Sequence, residues 1–214
     1  MPTLLSVNVG RPTPTTASRV DDTGIDKRPV DRPVEVRDPG ESRLGGLSGD
    51  AICDTMSHGG HEQAVYAYAR EDLDWWESEL GRPLSSGVFG ENLTTLGLDV
   101  TGARIGERWK VGDRCLLEVG SPRIPCRTFA AWLREAGWER RFTLHGAPGA
   151  YLRVVTEGSI QAGDPIEVIR RPAHDVTIGL MFRALTREKH LLPRLAAAGE
   201  ALPPGLRAEV AQVS

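Results

Sequence analysis

Glycine and proline cut the first 170 residues of this 214-residue chain into short apolar runs, and that punctuation limits what it can fold into. Most of its 24 glycines and 15 prolines lie in this part, and few apolar stretches between them exceed half a dozen residues. Runs of that length, bounded by turn residues, suit β-strands. Residues 4–9 alternate as a strand does. Val30, Val34 and Val36 fall at even spacing within 29–37, with Pro33 favouring an edge or a bulge. Residues 64–68, 115–119, 151–156 and 165–169 are further apolar segments, with Gly163-Asp164 marking a turn before the last. Two stretches read as helices instead. In 70–80, Leu73, Trp76 and Leu80 share a face, acidic residues fill the first turn and Gly81 supplies the stop. In 128–136, Phe129, Trp132, Leu133 and Ala136 do the same. Residues 11–23 are polar, carry prolines and have no period, so they read as a loop.

Many short strands with glycine turns and few helices predict a mainly β, α+β fold: a closed or nearly closed β-barrel with helical insertions. A doubly wound fold would need regular strand–helix alternation, which is missing. After Arg170-Arg171-Pro172 the texture changes. Residues 177–185, 188–198 and 206–213 are alanine- and leucine-rich helical stretches punctuated by Pro193 and Pro203-Pro204. This divides the chain into a barrel domain, 1–172, and a helical element, 173–214, too short to hold a core alone. The tail must pack on the barrel or on a second copy, as a homodimer contact or a lid.

A formal net charge of −3 gives no bulk attraction to nucleic acid or to an anionic membrane, so any anion site must be a local basic cluster. No run approaches the roughly 20 apolar residues of a membrane span. The N-terminus lacks the basic and long apolar regions of a signal peptide. The three cysteines, Cys53, Cys115 and Cys126, show no paired spacing, which argues for a reducing, cytoplasmic setting. Three are also too few for a four-cysteine iron–sulfur cluster, so electrons for redox chemistry would come from a partner.

Cys126 ends the stretch S-P-R-I-P-C (121–126), directly after an apolar strand and between Arg123 and Arg127. Neighbouring cations favour a thiolate, and thiolate is a soft metal ligand. A buried structural thiol is the competing reading, and it is the one that suits Cys115. His58-Gly-Gly-His61 lies in a glycine-rich loop. With Cys53 it does not give a zinc spacing, but its glycines would let backbone N–H groups approach a phosphate or pterin. Residues 87–95 (G-V-F-G-E-N-L-T-T) hold Asn92, Thr94 and Thr95, which could hydrogen-bond a heterocycle or simply turn into a strand. Lys27-Arg28 could meet an anion or be an ordinary surface pair. Leu44–Asp50 lacks the G-K-[ST] ending of a phosphate-binding loop, and no hydrolase motif is present. Trp75-Trp76 reads as helix packing.

Together, G-I-D-K-R-P-V (24–30), G-L-S-G-D (46–50), H-G-G-H-E-Q-A-V-Y-A-Y (58–68), G-V-F-G-E-N-L-T-T-L-G-L (87–98), I-G-E-R-W-K-V-G (105–112), P-R-I-P-C (122–126), G-A-Y-L-R-V (149–154) and G-S-I-Q-A-G-D (158–164) follow the order seen in MOSC-domain proteins. The chain most resembles their YiiM-type branch, over residues 4–170, and its tail resembles the three-helix element that follows the domain there. The resemblance implies a barrel that binds the molybdenum cofactor, molybdopterin, with Cys126 as molybdenum ligand and catalytic residue. It implies that Lys27, His58, Gly59, Gly60, His61, Asn92, Thr94 and Arg123 surround the cofactor, with Lys27 meeting its phosphate. It implies reduction of N-hydroxylated bases or related N-oxygenated compounds, with electrons from a separate flavin or iron–sulfur reductase. Molybdenum's two-electron cycle matches removal of one oxygen from N–OH, and the protein's share is ligation, orientation and a pocket. MOSC domains also end cofactor sulfurases, so the alternative is a carrier of sulfur or cofactor that uses a Cys126 persulfide. Residues 53–57 (C-D-T-M-S) depart from the family's charged cluster before H-G-G, and residues 11–23 match nothing in it.

Overall fold

A computed structural model describes residues 1–213. The strands are β1 (Thr3–Gly10), β2 (Thr13–Pro14), β3 (Asp22–Thr23), β4 (Lys27–Pro29), β5 (Val34–Val36), β6 (Val65–Ala69), β7 (Leu93–Leu96), β8 (Arg108–Val111), β9 (Cys115–Pro122), β10 (Ala150–Thr156), β11 (Gly158–Ile160) and β12 (Ile166–Arg170). The α-helices are α1 (Arg70–Leu80), α2 (Arg127–Leu133), α3 (Trp138–His145), α4 (Ile178–Thr186) and α5 (Pro204–Val213), and 3-10 segments cover His61–Gln63 and Lys189–Ala201.

The mainly β, α+β class stands, but the closed barrel does not. Eight strands form one sheet in the order β12-β8-β9-β10-β6-β7-β1-β4, with only β6 and β7 parallel. The sheet curls until β1 reaches the start of β12, where they meet at a single bridge, Thr3 to Pro165. Backbone hydrogen bonds from Leu4 to Asp164 (2.8 Å) and from Ile166 to Pro2 (2.9 Å) flank it. A further bond, from Gly163 N to Leu4 O (2.8 Å), belongs to the same contact, but no ladder runs on from it, and the far half of β1 is paired with β4. The valine run expected as one strand over 29–37 is two strands in different sheets. Asp31 and Arg32 bend between them, and β5 pairs with β11.

The polar loop 11–23 contains a small hairpin, β2 against β3, that joins neither of the larger sheets. Helix α3 was not foreseen, because its sequence, W-E-R-R-F-T-L-H, buries only Trp138 and Phe142.

The apolar residues form two cores. One lies between the inner face of the sheet and the tail; Leu117, Val119 and Leu152 of β9 and β10 share it with Met181, Leu195 and Leu202. Helix α4 enters this core almost entirely buried, its N-terminus capped by Thr177 Oγ1, which accepts from the Leu180 N–H at 3.1 Å. Arg153 in β10 ties the tail down further, donating to the Ala201 carbonyl (3.0 Å) while paired with Glu62 and Glu118. The second core is aromatic. Tyr66, Tyr68, Trp76, Phe89, Phe129, Trp138, Phe142 and Phe182 pack between the sheet and helices α1, α2 and α3. Among the described residues no helix is long and apolar enough to cross a membrane.

In helix α1 the Asp72 carboxyl is half-buried. Burial first, then the nearby Asp99 and Glu71 carboxylates, push its pKa up to about 6. The folded chain therefore holds this proton more tightly than the unfolded chain, and stability falls as pH rises from about 4 through about 6. The full shift corresponds to about 3 kcal/mol, and partial solvation reduces this to about 1–2 kcal/mol. Asp72→Asn is expected to stabilise the protein by that amount at pH 7 and to flatten its stability between pH 4 and 7, read by urea unfolding. A variant no more stable than the parent at pH 7 would contradict this.

Candidate functional site

The S-P-R-I-P-C stretch leaves the end of β9 just after an irregularity in its pairing with β10. Tyr151 pairs with Ser121 but Leu152 pairs with Val119, so Gly120 is the extra residue of a bulge. Bulges turn a strand end. Here Arg123 is turned inward, Ile124 outward, and Cys126 into position before α2. Arg123, Cys126 and Tyr151 line one side of a cleft of about 690 Å³, including its open mouth. The other walls come from Gly24, Ile25 and Lys27, from Ala51–Asp54, from His58 and Gly59, and from Tyr66, Gly90 and Asn92.

Arg123 is the most unusual group in this cleft. Only 6% of its surface is exposed. Its guanidinium donates to the Phe89 carbonyl and lies over the rings of Phe129 (4.0 Å) and Tyr66 (5.1 Å). Among the described residues no carboxylate pairs with it. A buried cation without an anion is costly, and cation–π contacts offset only part of that cost. Lys27 is the contrast. It is equally buried, but both Asp50 oxygens accept from its Nζ, at 2.5 and 2.6 Å. Asp50 also accepts from the Gly10 N–H (2.7 Å) and from Asn92 Nδ2 (2.9 Å). The carboxylate thus joins β1, β4 and the loop before β7 into one frame.

Asn92 is similarly engaged. Its Oδ1 accepts from the Tyr66 N–H at 3.1 Å, and its Nδ2 donates to Asn8 O and Asp50. The loop carrying Phe89 and Asn92 is shaped from below by buried Glu91, which accepts from Gly87 N (2.5 Å), Phe89 N (3.0 Å) and Thr94 Oγ1 (2.9 Å). Gly90, at φ +75, sits where a Cβ would come within 3.1 Å of Ile25 and 3.6 Å of Arg123. At Gly59, at φ +81, a Cβ would meet the Arg43 carbonyl at 2.3 Å. Both glycines leave bare backbone facing the cleft. His58, which also lines the cleft, has its pKa lowered, by burial first and then by Arg123 and Lys27, against Asp54, so its environment disfavours the charged imidazolium.

The structure brings Lys27, His58, Gly59, Asn92, Arg123 and Cys126 into this one cleft. Four other expected residues, Gly60, His61, Thr94 and Arg127, lie outside it. His61 is exposed and sits 3.0 Å from Asp38, and Gly60 turns the chain toward it. Thr94 is fully buried between Asn8 and Glu91. Arg127, expected to act on the thiol, instead donates from Nε to the Ala17 carbonyl at 3.1 Å. Cys53, Tyr66 and Tyr151 line the cleft, and Asp50 holds its Lys27 and Asn92 from behind; spacing alone singled out none of these four as site residues. Asp50 ends a quoted glycine-rich stretch, but nothing local tells that its partner is Lys27. Among the described residues no three His, Cys, Asp or Glu side chains converge to hold an ion. The protein side of this cleft thus carries two half-exposed thiols, Cys126 and Cys53, the buried Arg123 cation without a carboxylate partner among the described residues, the Asp22 and Asp54 carboxyls, and stretches of backbone at its glycines.

The MOSC domain signature matches residues 54–167, just over half the chain. YflK of Bacillus subtilis (strain 168) is 32% identical over 176 residues, covering 82% of this chain and 76% of YflK. A protein named "Reductase" from Gibberella moniliformis is 34% identical over 130 residues, 59% of this chain but only 23% of that longer one. The crystal structure of YiiM from Geobacillus stearothermophilus superposes with a TM-score of 0.78 at 28% identity, covering 99% of this chain and 98% of that one. By sequence signature, relatives and fold, this chain belongs to the MOSC-domain family and is YiiM-like within it.

Proposed function

We propose that the cleft binds the molybdenum cofactor and that the protein is an oxidoreductase for N-hydroxylated bases or related N-oxygenated compounds. The observation that carries this reading is Arg123: a buried cation, without a carboxylate partner among the described residues, beside a half-exposed thiol. An anionic group that also takes a soft ligand answers both features. A dithiolene–phosphate cofactor is such a group, and its own sulfurs would make up for the protein's single metal-ligating side chain.

The residues fit that group. Cys126 would offer the thiolate ligand. Arg123 would balance buried negative charge. Gly59 and Gly90 line the cleft without side chains, so a pterin could lie close to the chain there, although the Gly90 N–H is already given to the Gly87 carbonyl. Lys27, held by Asp50, has at most one remaining N–H to give, so its main task is to fix the wall through Asp50 and Asn92. When bound, the metal would supply two-electron removal of oxygen from N–OH. Overall, R–NH–OH takes up two electrons and two protons and leaves as R–NH2 and water. With three cysteines the chain cannot build a four-cysteine cluster, so a separate flavin or iron–sulfur reductase supplies the electrons. The Gibberella relative named "Reductase" supports the oxidoreductase class, although this chain matches only 23% of it.

The test is to purify the protein and its Cys126→Ala variant from a molybdenum-replete host and to measure bound molybdenum and pterin. The variant is expected to hold at least about tenfold less metal, since even partners outside the ligand set typically affect affinity that much. Only the parent is expected to reduce hydroxylamine-type substrates with an artificial donor. Equal metal in both proteins would remove Cys126 from the ligand role. Sulfane sulfur on Cys126 without molybdenum would favour the sulfur carrier.

A further inference from the structure

The hairpin formed by β2 and β3 lines the cleft but belongs to neither core. Ser18, Asp22 and Thr23 line the cleft from this hairpin. It pairs internally at Thr13–Thr23 and Pro14–Asp22, and Thr15 N donates to Asp21 O at 2.8 Å. It contributes no side chain to either hydrophobic core, and Val20 at its tip is exposed.

Its side-chain attachments to the rest of the molecule reach two separate segments of the cleft wall. At one of them the Ala17 carbonyl accepts from Arg127 Nε (3.1 Å) and from Thr128 Oγ1 (3.2 Å). These two residues directly follow Cys126. At the other, Arg19 Nη2 donates to Ser57 Oγ at 3.1 Å, and Ser57 directly precedes His58. The segment is therefore held between these two parts of the cleft wall by a few polar contacts and almost no apolar burial. Such segments open locally at low free-energy cost.

We propose that residues 13–23 are a strap that closes the cleft over its bound group, and that Arg127 and Thr128 are positioning residues latching it through the Ala17 carbonyl. Opening the latch exposes the side of the cleft next to Cys126. Closing it completes the wall with Ser18, Asp22 and Thr23. Two hydrogen bonds to one carbonyl make the latch strong enough to bias the strap closed, and their partial exposure keeps it reversible. The latch stands on its own geometry; the identity of what it retains rests on the cofactor reading above.

The experiment compares the cofactor-loaded protein with an Arg127→Met/Thr128→Val double variant, which removes both donors while keeping side-chain bulk. Hydrogen exchange of the amides in 13–23 is expected to be at least about tenfold faster in the variant, since each lost bond is worth about 1 kcal/mol. Exchange in β9 and β10 should be unchanged, showing that the fold is intact. Release of molybdenum during prolonged dialysis is expected to quicken in parallel. Equal exchange of 13–23 in both proteins would overturn the latch. Faster exchange with unchanged metal release would overturn retention by the strap. Metal absent from both proteins, with exchange in 13–23 still faster in the variant, would count against the cofactor reading while upholding the latch. A single Arg19→Met variant, which frees only the Ser57 side, should raise exchange at 18–21 more than at 15–17; the reverse order would contradict the two-sided attachment.

Discussion

Arg123→Met is expected to abolish cofactor retention while leaving the empty protein nearly as stable as before. Losing one partner of a buried, hydrogen-bonded charge pair costs about 2–5 kcal/mol, so affinity for an anionic ligand should fall by roughly 30-fold or more. The empty protein behaves differently because Arg123 pairs with no carboxylate there. The substitution gives up two ring contacts and the bond to the Phe89 carbonyl. It also relieves the desolvation of a buried charge, and the net loss should stay within about 2 kcal/mol. A structural ion pair would show the opposite pattern: breaking one typically costs about 3–5 kcal/mol of folding stability. Metal content and urea unfolding on the same preparations separate the two. Undiminished molybdenum in the variant would sink the anion-site reading.

Phe89→Ala carries the largest expected effect on folding. Phe89 is fully buried, and its ring lies between those of Tyr68 and Phe129 (both 5.1 Å) and Trp138 (5.4 Å), with Phe142 and Trp76 slightly farther. Truncating such a residue costs about 3–5 kcal/mol in transfer free energy and residual cavity. Phe89→Leu should cost less than half of that, since most of the volume stays filled. The effect reaches the site as well. The Phe89 carbonyl accepts from Arg123, and its N–H donates to Glu91. Phe89→Ala should therefore lower cofactor content in the protein that remains folded. A loss below about 1 kcal/mol in urea unfolding would show that the aromatic core can collapse around the gap.

Local residue order made much of the strand pattern legible. Short apolar runs and glycine turns mark β1, β10 and β12 to within a residue or two and give the start of β9, whose end at Pro122 lies three residues beyond the expected 115–119. Helix α1 was equally plain, because a stop glycine and an apolar face coincide. Helix α3 was not, since its register is set by an aromatic core built from distant segments. Of the two forms expected, closed or nearly closed, the sheet takes the nearly closed one. Alternation reports which face of a strand is buried but says nothing about whether the last strand hydrogen-bonds to the first.

The site divides in the same way. Cys126 and Arg123 could be picked out from the sequence, as a thiol between cations after a strand. Their environments could not. Arg127 lies one residue from Cys126 but reaches away to Ala17, whereas Arg123, three residues before it, is folded inward by the bulge at Gly120. Lys27 read as a free cation until the fold placed Asp50 against it.

By itself, then, the sequence determined the strand-rich class, the break in texture near residue 172 and, after a strand and between two arginines, a cysteine that could serve as a soft ligand. These follow from period, turn residues and residue type, all local properties. Only the tertiary structure decided which cation is neutralised and which is left unbalanced, and that a polar loop with no period of its own lines the cleft. Those outcomes depend on pairings such as Lys27 with Asp50 and Ala17 with Arg127, separated by 23 and 110 residues, and only the folded chain brings such partners together.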